Sequence, residues 1–159
     1  ARAAQLCGKT NQFNLTTKRY TESDIKTMFV ALDYDLFVTY VSDKYGNDGL
    51  TSVIVLKKEQ EKIVIDSFLM SCRVMGRKIE NAIINEVLNK YNSYKTINAS
   101  YIPTAKNKPV EKLYEQLGFS LIKEDGGIKE YSFCPQTYEY KEMPIFKNLS
   151  FCAGGKNED

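Results

Sequence analysis

Six consecutive residues, Arg73-Val74-Met75-Gly76-Arg77-Lys78, place three cations and a glycine between an apolar run and a helical pattern. The run is Ile63 to Met70 and the pattern is Ile79 to Tyr91. Strand, short cationic loop, helix is a recurring way to hold phosphate. The first turn of a helix has unpaired N–H groups and the positive end of the macrodipole. The guanidinium forks of Arg73 and Arg77 match phosphate oxygens, and Lys78 adds a point charge. Gly76 lets the backbone come close to a ligand. The competing reading is a basic helix start on a solvated surface. Cys72 stands beside Arg73, near the same helix start, where the thiolate nucleophile is favoured. Its alternative is a small residue closing the strand end. Asn107 opens a later helical segment, as a cap or as a ligand contact.

The rest of the composition narrows the chemistry. The 159 residues contain no histidine, which removes histidine-based triads and histidine-ligated metals. No metal site is expected. A net charge of +2 without a long Lys/Arg block gives no reason to expect nucleic acid. Neither a membrane span of ~18 apolar residues nor a signal-peptide core is present in the sequence, so no membrane partner is expected. Cys7, Cys72, Cys134 and Cys152 lack CxxC spacing, which favours reduced thiols and a cytoplasmic setting.

These residues need elements to position them. Residues 1–13 are polar and without clear periodicity, a lead-in. Asn14 to Tyr20 reads as a short strand. Thr21 with Asp24 caps a helix carrying Ile25, Met28, Phe29 and Leu32 on one face, ending near Asp33. Leu36–Val41 and Leu50–Leu56 form a hairpin around the Tyr45–Gly49 turn cluster, and a polar turn leads into the strand from Ile63. After the helix from Ile79 come a strand from Thr96 to Ile102 and a helix from about Lys108 to Leu117, stopped by Gly118. Phe119–Lys123 and Gly127–Phe133 form a last hairpin. Residues 152–159 are small and polar and are expected to fray. The order predicts an α/β (α+β) domain: a mixed, mostly antiparallel sheet of about seven strands with helices on both faces.

This order, with two motifs, resembles the GNAT family of N-acetyltransferases. Arg73-Val74-Met75-Gly76-Arg77-Lys78 matches the first two fixed positions of the family's pyrophosphate loop, Q/R-x-x-G-x-G/A. Lys78 departs at the third, where a small residue lets the helix hug coenzyme A. Asn107 with Tyr114-Glu115-Gln116-Leu117-Gly118-Phe119 matches the family's Asn…Tyr-x-x-x-Gly-Phe. The resemblance implies that the backbone of Phe68, Leu69 and Met70 pairs with pantetheine amides between two splayed strands. Val74 and Met75 would complete the pyrophosphate loop. It also implies that Tyr114 protonates the departing thiolate; an aromatic packed under the last helix is the alternative.

A more local resemblance is carried by Lys9-Thr10-Asn11-Gln12-Phe13-Asn14-Leu15-Thr16-Thr17-Lys18-Arg19-Tyr20 with Ser71-Cys72-Arg73-Val74-Met75-Gly76-Arg77. Together they look like the C-terminal half of FkbH-like proteins, which join a haloacid-dehalogenase (HAD) type phosphatase to a GNAT-like domain. That family loads a glycerate-derived acyl group on acyl carrier protein for methoxymalonyl extender units of polyketides. The resemblance implies an acyltransferase domain over residues 14–151 behind a HAD-type domain, working with a small-molecule acyl donor. Its cofactor would be coenzyme A or carrier-protein phosphopantetheine, with Cys72 as a conceivable acyl-thioester site. The alternatives are a non-catalytic module that docks the carrier protein or partner domain, and a generic small-molecule N-acetyltransferase. Asp33-Tyr34-Asp35 imitates the phosphatase Asp-x-Asp pair but lacks its context.

Overall fold

The alternating apolar pattern between Tyr34 and Met70 folds as three antiparallel strands: β1 (Tyr34–Asp43), β2 (Gly46–Lys58) and β3 (Lys62–Met70). They are seen in a computed structural model, which describes residues 1–143. The β1–β2 hairpin is longer than the sequence predicts. Asn47 and Gly49 pair with β1 through two register shifts, and Gly49, at φ 70°, supplies the backbone conformation such a bulge needs. Helix α3 (Ile79–Lys90) follows β3, then β4 (Thr96–Tyr101), the short α4 (Leu113–Gln116), and the hairpin β5 (Ser120–Asp125) and β6 (Ile128–Phe133). The sheet order is β1-β2-β3-β4-β6-β5, with β3 and β4 the parallel pair. The mixed α/β architecture matches expectation.

Both faces of this sheet are covered. Along β2, Ile54 and Leu56 face one cluster while Val53 and Val55 face the other, the period-two alternation of a strand. The larger cluster packs β2, β3, β4 and β6 against Ile79, Ile83 and Val87 of α3 and against Val110 and Tyr114. The smaller lies under two N-terminal helices, α1 (Arg2–Lys9) and α2 (Glu22–Val30).

Several local expectations are corrected. Residues 2–9 form a helix where no periodicity was legible, because Leu6 and Cys7 gain their stability by packing on the sheet rather than from helix propensity. Thr21 and Asp24 do make the reciprocal capping box. However, α2 ends at Val30, and only Ile25 and Met28 pack inward; Phe29 and Leu32 are exposed. The segment from Lys108 divides into a 3-10 turn, Lys108–Val110, and α4. Cys152 and the tail from residue 152 lie outside the described residues.

The largest departure concerns the expected strand Asn14 to Tyr20. Among the described residues it makes one isolated bridge, Asn14 to Leu69, and the sheet has six strands. Its position explains why. Strands β3 and β4 pair only over Lys62–Ile65 and Thr96–Ala99, then diverge. Residues 13–16 fill the divergence. Leu15 N donates to Phe68 O (3.2 Å), Met70 N to Phe13 O (3.0 Å), and Ile102 N to Leu15 O (2.8 Å). Thr16 Oγ1 donates to Asp66 O at 3.1 Å. Buried main-chain groups need partners, and this segment supplies them on both sides. Leu15 is fully buried, and the Phe13 ring lies 5.2 Å from Phe68, edge to face.

Three buried phenols make the fold sensitive to alkali. Burial raises Tyr91, Tyr114 and Tyr131 above the ordinary tyrosine value, with Asp35 and Glu115 adding to the first and third. A folded-state value above the unfolded one leaves stability intact below pH 10 and erodes it as pH rises further. For Tyr114, enclosed on all sides, the slope is about 1.4 kcal/mol per pH unit. Urea midpoints measured from pH 8 to 11.5 should begin to fall above about pH 9, where the raised Cys7 thiol first counts, and fall more steeply above pH 10 as the phenols join.

Candidate functional site

Strand β3 delivers the Arg73–Lys78 loop to one end of the sheet. Ser71 accepts from Arg73 N at 3.4 Å and opens a 3-10 turn, Cys72–Val74; Val74 is buried beneath it. Gly76 has φ 78°, and a Cβ there would meet nothing within 4 Å, so its backbone faces open space. Lys78 takes a left-handed conformation (φ 58°) as the N-cap of α3. Its side chain is exposed and, among the described residues, makes no hydrogen bond or ion pair. The departure from the motif therefore does not plug the loop.

The two arginines are held by the β1–β2 hairpin. Arg77 spans two carboxylates, with Nη2 to Asp43 Oδ2 and Nη1 to Asp48 Oδ2, both at 2.9 Å. Arg73 donates through Nε to Ser71 Oγ (3.3 Å) and through Nη2 to Asp48 O (3.2 Å). Glu80 already stands in the first turn of α3. An anion entering this loop must exchange with carboxylates. The exposed Arg77 pairs are each worth only about 0–1 kcal/mol, so that exchange costs little.

Of the expected Phe68, Leu69 and Met70, the carbonyl of Phe68 and the N–H of Met70 point into the divergence between β3 and β4, while Leu69 pairs in register with Val53 of β2. In this structure the Phe68 and Met70 groups are paired with Phe13 and Leu15. Asn107 neither caps the following turn nor faces open space. Fully buried, it donates through Nδ2 to Asn14 O (2.9 Å) and Ile102 O (2.8 Å). Its Oδ1 accepts from Thr104 N (2.7 Å) and Tyr101 Oη (3.0 Å). Asn107 is the clamp that holds the 13–16 segment in place.

Tyr114 lies on α4, against Phe119 (5.3 Å between ring centroids) and Tyr131 (5.5 Å). It is packed in the core, yet its hydroxyl is buried with no hydrogen-bond partner among the described residues. An orphaned buried hydroxyl costs about 1–3 kcal/mol, so its retention calls for a reason. Burial pushes the phenol further above the ordinary tyrosine value.

Cys72 is exposed on the 3-10 turn, seven positions ahead of Ile79, with Arg73 next to it in the chain. Cys134 is exposed as well, whereas burial pushes the Cys7 thiol up. Iodoacetamide near neutral pH should therefore modify Cys72 and Cys134 in the native protein and leave Cys7 for last. A ligand across the loop should protect Cys72 alone. Mass mapping of the labelled peptides checks both points. Among the described residues no three His, Cys, Asp or Glu side chains converge as metal ligands, and no helix is long and apolar enough to cross a membrane.

By sequence, the chain matches no protein-family model and no curated protein. Solved structures do match. The ribosomal-protein-S18-alanine N-acetyltransferase of Escherichia coli aligns with a TM-score of 0.62 and 10% identity, over 89% of this chain and 90% of that one. The fold is that of the GNAT acetyltransferases. The smu.2055 protein of Streptococcus mutans gives a TM-score of 0.64 at 16% identity, covering 83% and 90% of the two chains. The PaiA N-acetyltransferase of Thermoplasma acidophilum, solved in complex with coenzyme A, gives 0.51 at 17%, over 63% and 61%.

Sequence reading singles out the loop, Cys72, Asn107 and Tyr114 as candidates. It missed Asp43 and Asp48 as partners of Arg77, and it missed the 13–16 segment as the occupant of the strand divergence. The GNAT fold brings the loop and the divergence to one end of the sheet and sets Tyr114 in the core below.

Proposed function

We propose that this domain transfers an acyl group to or from a phosphopantetheine thiol carried by coenzyme A or acyl carrier protein. The observation that carries the reading is Tyr114: a buried phenol with no acceptor, at the tyrosine of the GNAT signature. A departing thiolate is the acceptor it lacks. The loop end of the site fits such a ligand, since Gly76 is open and Arg73 and Arg77 need only exchange partners. The strand divergence fits once residues 13–16 withdraw. Bound there, the thioester supplies an activated acyl carbonyl. Arg73 and Arg77 then hold the phosphates, and Tyr114 Oη holds the proton that the released sulfur takes up.

The FkbH-like resemblance extends this to a glyceryl group, an acyl carrier protein partner and a HAD-type phosphatase partner. Exposed Cys72 would be a covalent way-station. Acylation there would give a hydroxylamine-labile adduct in intact mass, absent from Cys72→Ser. Plain N-acetylation of a small molecule uses the same donor site.

One observation favours a second reading, a non-catalytic docking module: residues 13–16 already take the backbone groups of Phe68 and Met70. Calorimetric titration with coenzyme A, holo carrier protein and apo carrier protein separates the two. For acyl transfer, the phosphopantetheine forms bind, and Arg73→Ala weakens them by about 1–3 kcal/mol, with Arg77→Ala in the same direction. Equal affinity for holo and apo carrier protein, with no response to coenzyme A, would establish docking instead. Binding untouched by both arginine substitutions would reduce the loop to a solvated surface.

A further inference from the structure

Tyr45 stands at the tip of the β1–β2 hairpin and is 85% exposed, more than any other large apolar residue described. A single exposed aromatic needs no explanation by itself. Its mounting does.

Asp43 Oδ1 accepts from Tyr45 N at 2.8 Å, while Asp43 Oδ2 accepts from Arg77 Nη2 at 2.9 Å. One carboxylate thus fastens the aromatic tip to the Arg73–Lys78 loop. Asp48 adds two more ties, from its Oδ2 to Arg77 and from its main-chain O to Arg73. Within the turn, Asn47 Oδ1 accepts from Gly49 N at 2.7 Å, so the tip is braced from inside as well. Charge is the second observation. Lys44 Nζ lies 4.8 Å from the centre of the Tyr45 ring, and among the described residues it has no carboxylate partner. Arg77, by contrast, is opposed by two carboxylates. The uncompensated cation of the hairpin therefore sits at its tip, beside an aromatic face turned to solvent.

A nucleobase stacks on such a face, and a phosphate on the attached sugar meets such a cation. From this we infer that the hairpin tip is the nucleotide subsite of the loop, with the base on Tyr45 and the ribose phosphate at Lys44. The inference rests on the acyl-transfer reading for what fills the loop, and it selects coenzyme A over a thiol arm that carries no nucleotide. Arg77 keeps hold of the tip throughout, because Nη1 can leave Asp48 for a phosphate oxygen while Nη2 stays on Asp43.

The full 159-residue chain is titrated by calorimetry with coenzyme A, dephospho-coenzyme A and phosphopantetheine, which share the thiol arm and differ in the nucleotide. Coenzyme A should bind about tenfold tighter than phosphopantetheine, and Tyr45→Ala should remove that advantage. Tyr45→Phe should keep it, because the ring and not the hydroxyl stacks. Lys44→Gln should weaken coenzyme A several-fold more than dephospho-coenzyme A, which lacks the ribose phosphate. Phosphopantetheine should bind all three variants like wild type. Both side chains are exposed, so melting temperatures should not move. Coenzyme A binding that falls with Arg73→Ala but ignores Tyr45→Ala would overturn the subsite and leave the acyl-transfer reading standing. Phosphopantetheine binding as tightly as coenzyme A would do the same. Absence of binding by all three ligands would overturn both.

Discussion

Tyr114→Phe is expected to lower acyl-transfer turnover by about 10²-fold or more while leaving ligand affinity nearly unchanged. The range is that of a positioned general acid. The phenol proton matters only as the carbon–sulfur bond breaks, so its loss appears in kcat and not in binding. The same substitution should leave the protein as stable as before or slightly more so. The hydroxyl has no partner, and removing it relieves a desolvation penalty while the ring keeps its contacts with Phe119 and Tyr131. Steady-state kinetics with coenzyme A thioesters, beside a urea melt, give both numbers. A tyrosine used only for packing would lose neither rate nor affinity. Equal loss of rate and affinity would also remove the acid role.

The largest effect on stability is expected from Asn107→Ala. One buried carboxamide makes four bonds, to Asn14 O, Ile102 O, Thr104 N and Tyr101 Oη. Its removal leaves these groups unpaired, and each buried orphan costs about 1–3 kcal/mol. With partial relaxation, a loss of about 3–5 kcal/mol is expected in urea unfolding. Before global unfolding, the amides of Leu15, Met70 and Ile102 should exchange faster, because the clamp on residues 13–16 has gone. Wild-type exchange at those three amides would show that the segment is held by Phe13 and Leu15 burial alone.

What could be read in advance divides along sequence separation. The hairpins, the α2 capping box, the loop after β3 and the αβ order around β4 depend on neighbours, and their signals are local. Phe13 and Leu15, by contrast, lie in a polar stretch with no period, and their partners Met70 and Phe68 are far along the chain. Nothing near them marks a mid-sheet position. Arg77 is similar: its type and place in the motif were legible, but the carboxylates it grips come from the far hairpin. Helix α1 was hidden by brevity, since eight residues hold too few turns for a pattern. Asn107 was recognisable as a motif residue, yet the bonds it makes depend on a backbone bend that only the fold defines.

The clamp between Asn107 and Asn14 closes a loop across 93 positions, and that has a bearing on how the chain is made. Translation at about 5–20 residues per second puts roughly 5–20 s between the emergence of the two partners. Throughout that interval the main chain of Phe13 to Thr16 has neither β4 nor its clamp to bond with. Residues 13–16 thus leave the ribosome well before β4 and Asn107, yet take their place only after them. Until they do, the gap beside β3 stays open on the nascent protein.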